Sequence, residues 1–381
     1  MARVTGVRRF LIPDLALTGA AFTLLYCLLF YDGARNLFRD SDSGWHIRNG
    51  EAILAEGKLP ATDPYSFSKG GEPWFAWEWG SDVLMGAAHR GDGLSGVVLL
   101  YLAAIACCTW IWFRLHWEAG GDFLLACAMA SPMLSTVNLH WLARPHVFGW
   151  VLALAWVLIL ERGIRSLTVA ALLDAIWANA HGSFFLLPFI ALAYAARDIR
   201  YLAVAAAGLA GTFVNPYGWK LHAHVFQYLS NGELLKRIGE FQTFNFHSEG
   251  AAQILLGVGI AALGASLALM QRNFTHFLVL AAMSAVALRS ARGLPLLALL
   301  LPLANGAITR AWQESGLWPR LLAYSGNLRR LEMGFAGIAW AAVLLGVAFA
   351  VLHTPSVDAR AGFDPAEFPV AASAIVESLP A

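Results

Sequence analysis

Long apolar runs alternate with short polar segments along almost the whole chain. A helix needs about 20 mainly apolar residues to cross the hydrocarbon core of a bilayer, within a range of about 17–25. Eleven runs approach this length, and a helix is predicted for each, at about 13–31, 94–113, 122–138, 146–161, 166–180, 183–196, 201–214, 251–270, 275–289, 294–309 and 334–352. The pattern therefore predicts an all-α, polytopic membrane protein with about eleven transmembrane helices.

Composition agrees with this interpretation and limits the function classes. Of the 381 residues, 58% are hydrophobic and 13% are charged, against about 25% charged residues in a soluble domain. The net charge of +1 gives no indication of nucleic-acid binding. The four cysteines lie inside apolar runs, so neither a disulfide framework nor a zinc site is expected.

The distribution of arginine predicts the orientation in the membrane. Arginines are dense in the short loops on the side of the N-terminus, which the positive-inside rule assigns to the cytoplasm. The loops 32–93 and 215–250 and the tail 353–381 then lie outside the cytoplasm, and residues 1–352 form the membrane domain. The first apolar run lacks a small-x-small cleavage site, so we expect a retained helix rather than a signal peptide.

The loop 32–93 carries an acidic motif and two short amphipathic segments. Asp40, Asp42 and His46 lie within seven residues of one another, just after the first span. The segment "SGWHIRNGEAILAEG" has helical spacing and ends at Gly57, a residue suited to stop a helix. The second segment, "WFAWEWGSDVLMGAAHRG", is rich in tryptophan. Both are too short and too charged to span, so two interfacial helices are predicted in this loop.

The acidic residues allow a structural and a functional interpretation. In the structural one, the two aspartates form a solvated turn with Asp42 as the N-cap of the next helix, and His46 pairs with Asp42. In the functional one, at least one carboxylate acts on a substrate. The two carboxylates and His46 could also ligate a divalent cation such as Mg or Mn. Glu78 is either an exposed residue on an interfacial helix or a second acidic group facing the first.

Other polar side chains lie inside the apolar spans or at their outer ends. Asp174 shares a helical face with Trp177 and His181, and it could serve function or bundle packing. Asn179, His181 and Arg144 lie nearer the outer mouth. These three residues are therefore better candidates for a binding site.

Arg289 and Arg292 are three residues apart, so they share a face if the segment is helical. Two arginines at the outer surface suit a phosphate or pyrophosphate group. The alternative is that they reach outward to the phosphates of membrane lipids. His222 and His224 are two apart and give only a weak metal signal, because this spacing does not put both on one helical face.

As a set, the motifs of this chain resemble those of one superfamily of membrane enzymes, the GT-C glycosyltransferases. The resemblance is closest to a group of bacterial multipass proteins of that plan. It is carried by "DSDSGWHIRNGEAILAEGKLPATDPYSF", "PWFAWEWGSDVL", "ARPHVF", "WANAHGSF" and "NPYGW". It covers about residues 10–310, and the motifs are specific together rather than one at a time. It implies a GT-C-like bundle in the bacterial inner (plasma) membrane.

The resemblance also implies a reaction, the transfer of a sugar from a polyprenyl-phosphate-linked donor to an extracytoplasmic acceptor. The acceptor loses a proton as it attacks, so a carboxylate is the natural base, and the leaving phosphate needs cations or a metal. Asp40 is the first candidate for the base or metal ligand, followed by Asp42 and Glu78. The residues expected to bind substrate are His46, Arg144, Asn179, His181, Arg289 and Arg292.

Two other function classes stay open. A transporter of lipid-linked glycans would also need a lipid groove, but it predicts internal repeats and charges near the midplane, and neither stands out. A catalytically silent GT-C-like protein could instead serve as an accessory subunit beside other membrane subunits. Polyprenyl phosphate bound near Asp40 would favour the enzyme, and a groove filled by side chains would favour the accessory role.

Overall fold

The computed structural model describes residues 10–30, 32–337, 339–358 and 360–378, and their regular structure is helical. The first helices are α1 Leu15–Leu29, α2 Asp42–Glu56, α3 Trp79–Glu118, α4 Phe123–Val137, α5 His146–Glu161, α6 Leu167–Ala180, α7 Leu186–Tyr194, α8 Tyr201–Gly211 and α9 Trp219–Ser230. They are followed by α10 Gly232–Arg237, α11 Ala251–Met270, α12 Phe274–Arg289, α13 Gly293–Leu299, α14 Leu301–Ser315, α15 Pro319–Glu332, α16 Ala339–Leu352, α17 Pro355–Asp358 and α18 Val370–Glu377.

Short 3₁₀ turns link some of these helices, at Gly33–Phe38, Asn138–His140, Gly182–Phe185 and Gly239–Phe241. In the ranges given above, β-structure is limited to an isolated bridge between Thr62 and Pro73. The prediction of an all-α protein is confirmed.

Several helices are suited to a membrane. In the described part of the chain, three are long and apolar enough to cross one, namely α3, α11 and α4 with the 3₁₀ turn that follows it. The pair α13 and α14 passes the same test as one broken helix, bent by 44°. Seven shorter apolar helices of 10–17 residues accompany them. Each predicted span overlaps one of these apolar helices, and positions 31 and 338, in the first and last predicted spans, lie outside the described residues.

The first loop contains one separate helix and the start of another. The helix α2 ends at Glu56, and Gly57 adopts the left-handed φ of 66° that terminates it, as predicted. The second predicted segment belongs to α3, which begins at Trp79. Non-helical backbone at Asp92 and Gly93 breaks α3 between this segment and its apolar part.

The helix α3 is central to the bundle, because α1, α2 and α5 all pack against it. The contact with α2 depends on two glycines. A Cβ on Gly50 would lie 1.8 Å from the Asp82 carbonyl oxygen, and one on Gly86 would lie 2.5 Å from the Glu51 amide nitrogen. The backbones of α2 and α3 therefore touch directly. This contact places side chains of α2, which begins just after Asp40, against side chains of the first part of α3, which begins just after Glu78.

Replacing Gly50 with alanine should separate the two helices. The added methyl group meets backbone atoms, which cannot rotate away, so we expect a loss of about 1–3 kcal/mol in the free energy of unfolding. The matched control is Gly91→Ala in α3, because a Cβ there has no neighbour within 4 Å. The control should be neutral or slightly stabilising. Thermal unfolding in detergent measures both, and equal midpoints would contradict the direct backbone contact.

Residues after α16 fold back onto the first loop. The ring of Phe363 packs on Phe38 with centroids 5.4 Å apart, and Asp364 lies 3.8 Å from Arg35. His353 lies 3.0 Å from Asp92 at the break in α3. The C-terminal segment thus covers part of the loop that carries the acidic motif.

Candidate functional site

Arg144 is the centre of a cluster of charged residues at one end of the bundle. Its Nη1 lies 2.7 Å from Asp40 Oδ2 and 3.1 Å from Glu240 Oε1. Its Nη2 lies 2.8 Å from Asp42 Oδ2. Arg292 joins through Glu240, whose Oε2 lies 2.5 Å from the Arg292 guanidinium. These five residues, called the Arg144 cluster below, combine three carboxylates with two guanidiniums.

The backbone holds Arg144 beside the acidic motif. Arg144 lies in the turn between α4 and α5, directly before Pro145. The preceding amide, that of Ala143, donates a hydrogen bond of 2.7 Å to the Leu37 carbonyl oxygen. Leu37 belongs to the 3₁₀ turn that leads into Asp40. Two segments about 100 residues apart in sequence are therefore joined where their charges meet.

Asp40, rather than Asp42, satisfies the start of α2. The first amides of a helix lack intrahelical acceptors, and the Asp42 amide donates to Asp40 Oδ1 at 2.9 Å. The N-cap is Ser41, whose side chain makes no capping hydrogen bond, and Asp42 is already the first residue of the helix. The prediction of Asp42 as N-cap is therefore wrong. Asp42 is also the more open carboxylate, with 40% of its side chain exposed against 22% for Asp40.

His46 belongs to a second, buried network. Its Nδ1 lies 2.6 Å from Asp82 Oδ1, and both side chains are 1% exposed. Asn49 donates to the other oxygen of Asp82 at 2.6 Å, and the Tyr65 hydroxyl donates to Asn49 at 3.2 Å. The predicted pairing of His46 with Asp42 is wrong, because the close contact of α2 with α3 offers a buried carboxylate instead. We call these four residues the His46 network.

Glu78 lies between two imidazoles at the start of α3. Its Oε2 is 3.9 Å from His46 Nε2, and its Oε1 is 3.4 Å from His181 Nε2. The Gly182 amide donates to Oε1 at 3.4 Å. Burial raises the pKa of Glu78, although His46 opposes the rise, and burial lowers the pKa of His181 to about 3. Glu78 is thus a largely buried carboxyl, 12% exposed, that faces His46 of the first motif.

Asn179 makes structural hydrogen bonds. Its side-chain oxygen accepts from Trp79 Nε1 at 2.7 Å, and its amide nitrogen donates to the carbonyls of Ala175 and Val214 at 2.7 and 2.8 Å. These bonds tie the end of α6 to the start of α3. Because Glu78 directly precedes Trp79, these bonds also help to fix the position of Glu78.

Asp174 does not join the site. His181 Nδ1 lies 2.6 Å from the Ser183 hydroxyl, to which Trp177 donates at 3.2 Å. Asp174 is fully buried, and neither of its oxygens has a hydrogen-bond partner within the described residues. The predicted common face thus brings together Trp177 and His181 near Ser183, while Asp174 stands apart inside the bundle.

The two arginines of "ALRSARGLP" have different surroundings. Arg292 pairs with Glu240 and lies over the Phe241 ring, with its guanidinium carbon 4.5 Å from the centroid. Arg289 is the last residue of α12, is exposed, and forms no ion pair within the described ranges. The backbone is non-helical at Ser290, so the two do not share a helical face. Arg292 belongs to the Arg144 cluster and Arg289 does not.

Neither metal signal corresponds to a preformed centre. Across the residues that the structure describes, no three His, Cys, Asp or Glu side chains are arranged to hold a metal ion. Asp40 and Asp42 both contact Arg144 instead. His222 lies 2.6 Å from the Thr212 hydroxyl, and His224 stacks on Phe75 with ring centroids 4.2 Å apart. Each histidine of that pair therefore has a local packing role.

Two members of the site lacked a clear signal in the sequence. Asp82 follows Glu78 by four residues, a spacing that puts both on one helical face, and this could have revealed it. Glu240 lies in "RIGEFQTF", in a loop without a recognisable motif. It reaches the site because the Ala291 and Arg292 amides donate to the Gln242 and Glu240 carbonyls at 2.8 and 3.1 Å.

Acid should weaken the Arg144 cluster through Glu240. Burial opposes ionisation of this carboxyl, but Arg292 and Arg144 outweigh it and lower its pKa. A lowered folded-state pKa gives stability that is present above the unfolded pKa of about 4.3 and lost as pH falls through the folded value. We expect Glu240→Gln to reduce the acid-induced fall in melting temperature. Glu249→Gln, an exposed change in the same loop, should leave that fall unchanged, and a similar result for both variants would contradict the assignment.

The site combines residues from distant parts of the chain. The Arg144 cluster offers guanidiniums that suit an anionic oxygen group, and Asp42, Glu78 and the His46 network offer groups able to take or hold a proton. Both features lie at the same ends of α3 and α5. Comparisons with protein-family models, curated proteins and solved structures find no match for this chain.

Proposed function

We propose that this protein is a membrane glycosyltransferase that transfers a sugar from a polyprenyl-phosphate-linked donor to an extracytoplasmic acceptor. One observation carries the proposal. The motifs that resemble those of GT-C enzymes are far apart in sequence, yet Asp40, Asp42, Glu78, Arg144 and His181 come together at one end of the apolar bundle. A reaction on a lipid-borne donor needs its polar groups at such an end.

The acceptor base in this proposal is Asp42. Its Oδ2 contacts Arg144 at 2.8 Å, while its Oδ1 has no hydrogen-bond partner among the described residues. Asp40 uses one oxygen for the Asp42 amide and the other for Arg144. An open carboxylate oxygen can accept the proton of an attacking hydroxyl. The proposed base is therefore Asp42 instead of Asp40, and Asp40 becomes a positioning residue.

The donor phosphate would bind Arg144 and Arg292. The Glu240 carboxylate bridges both guanidiniums. Guanidiniums bind phosphate oxygens as they bind carboxylate oxygens, so a phosphate group could take the place of this carboxylate. Glu240 lies on the 3₁₀ turn Gly239–Phe241 between α10 and α11. Donor binding would therefore displace this turn, and residues 232–241 would form a cover over the bound sugar phosphate.

In this proposal the chain crosses the bacterial inner membrane eleven times, with its N-terminus in the cytoplasm and its C-terminus outside. The helix α2 lies in the outer interface, together with the part of α3 before the break at Asp92. The support is the overlap of each predicted span with an apolar helix and the high density of arginine in the loops assigned to the cytoplasm.

Cysteine labelling tests this topology. In a variant without the native cysteines, single cysteines at Ser68 and Ser230 should react with a membrane-impermeant maleimide added from the periplasmic side. A cysteine at Ser315 is the cytoplasmic control and should react only after the inner membrane is permeabilised. All three residues are exposed. The opposite pattern would rule out the orientation.

A catalytically silent accessory subunit is the second candidate. The favouring observation is that the carboxylates and guanidiniums of the Arg144 cluster compensate one another within the chain. Mass spectrometry of lipids and glycans from membranes with and without the protein separates the two. Accumulation of a polyprenyl-phosphate sugar together with loss of one glycan linkage on deletion supports the transferase. An unchanged lipid-linked pool would favour the accessory subunit.

A further inference from the structure

A cleft of about 480 Å³ lies at the opposite ends of α3 and α5 from the Arg144 cluster. It is formed where those helices end, beside the residues after α7, the turn between α11 and α12, and α14. Its volume falls in the range of about 300–1,000 Å³ for small-ligand sites. Three arginines line it, namely Arg197, Arg272 and Arg310.

The acidic residues of this cleft already have partners. Glu161 accepts from the Tyr194 hydroxyl at 2.6 Å and contacts His276 Nε2 at 3.0 Å. Glu118 pairs with Arg162 at 2.8 Å, a residue that does not line the cleft. Within the described residues, neither carboxylate forms an ion pair with an arginine of the cleft.

Two of the three arginines have no ion-pair partner in the described part of the chain. Arg310 pairs with Glu314 at 3.1 Å, whereas the side chains of Arg197 and Arg272 form no hydrogen bond or ion pair there. Arg272 also adopts a φ of 58°, a left-handed conformation that disfavours residues other than glycine and asparagine.

The start of α12 adds hydrogen-bond donors to the same cleft. Asn273 caps this helix by accepting from the His276 amide at 3.2 Å, and the amides of Phe274 and Thr275 belong to the first turn, where no intrahelical acceptor exists. Thr275 is 2% exposed, and its hydroxyl lacks a hydrogen-bond partner within the described residues. Helix N-termini bind phosphate groups through such amides.

We propose that this cleft is a binding site for a phosphate group, held between Arg197, Arg272 and the N-terminus of α12. The two unpaired guanidiniums supply charge, and the first-turn amides and the Thr275 hydroxyl supply donors. The phosphate belongs to the headgroup of an anionic lipid or to a soluble phosphate compound, which present the same chemistry to the cleft. The site is separate from the proposed transfer reaction, since it lies at the other end of the bundle.

Binding to the purified full-length protein in neutral detergent tests the proposal. The probes are short-chain phosphatidylglycerol, the matching diacylglycerol without phosphate, and inorganic phosphate, measured by native mass spectrometry and thermal shift. We expect Arg197→Gln with Arg272→Gln to weaken phosphatidylglycerol binding at least about tenfold, the effect of losing one charge-assisted contact. The control pair Arg320→Gln with Arg330→Gln changes the same number of exposed charges outside the cleft and should bind within about twofold of the parent protein.

Inorganic phosphate identifies the source of the ligand. Competition with phosphatidylglycerol would indicate a soluble phosphate compound, and binding of the lipid without competition would indicate a headgroup site. Equal binding by parent and double variant, or equal binding of diacylglycerol, would overturn the proposal.

Arg272→Gly separates binding from folding. Glycine accepts a φ of 58° without strain, so the melting temperature should hold or rise while phosphatidylglycerol binding falls. Full binding by the glycine variant would exclude Arg272 as a contact.

Discussion

Replacing Arg144 with alanine is expected to lower the free energy of unfolding by about 3 kcal/mol. Removing one partner of a buried ion pair costs about 3–5 kcal/mol because the other charge is left uncompensated, and the lower end applies because the three carboxylates are partly exposed. Arg144 is the shared partner of Asp40, Asp42 and Glu240, so its loss also leaves like charges facing one another. Thermal and denaturant unfolding in detergent measure the change.

Three further variants make this result specific. Arg144→Lys keeps the charge but cannot contact several carboxylates in one plane, so its stability should lie between those of the parent and Arg144→Ala. Adding Asp40→Asn to Arg144→Ala should recover part of the loss, because one uncompensated charge disappears. Arg48→Ala removes an exposed pair with Glu51 and should change stability by less than about 1 kcal/mol. An Arg144→Ala protein as stable as Arg48→Ala would contradict the central position of Arg144.

Asp42→Asn is expected to reduce sugar transfer by about 10²–10⁴-fold, the usual effect of losing a general base. Its stability should change by no more than about 1 kcal/mol, because the pair with Arg144 is partly exposed. Asp40→Ala removes the acceptor of the Asp42 amide and should cost about 1 kcal/mol in stability. Transfer by both variants is measured with a polyprenyl-phosphate sugar donor once its identity is known from the membrane lipids.

The comparison with Asp40→Asn completes that test. Asparagine keeps an oxygen for the Asp42 amide, so this variant should fold normally and retain more transfer activity than Asp42→Asn. The reverse order of activities would return the base to Asp40. Full activity of both, and of Glu78→Gln, would exclude all three carboxylates as the base, whereas no transfer by the parent protein would favour the accessory subunit.

The helices were predictable because their determinants are local. Apolar runs specify where a helix forms, and Gly57 specifies where α2 ends, since both depend on neighbouring residues. The same pattern did not predict that the second amphipathic segment and the apolar part of α3 form one helix with a break. The charged residues before Gly93 separate the two in sequence, while the structure needs only a break at Asp92 and Gly93 to accommodate them.

Several residues of the candidate site were predictable from their motifs, whereas Asp82 and Glu240 were not, and neither were the pairs that the residues form. His46 has Asp42 four residues earlier, yet it contacts Asp82, which Gly50 and Gly86 bring near. Partner choice of this kind depends on how closely helices approach and on which loop folds over them. Sequence spacing carries neither quantity.

The segment that covers the first loop has a consequence for biosynthesis. Phe38 leaves the ribosome early, whereas Phe363, which packs on it, follows roughly 300 residues later. At about 5–20 residues per second this interval lasts roughly 15–60 s. During that time the first loop lacks its cover, so a ribosome paused before residue 363 should leave Phe38 open to a chaperone or to proteolysis.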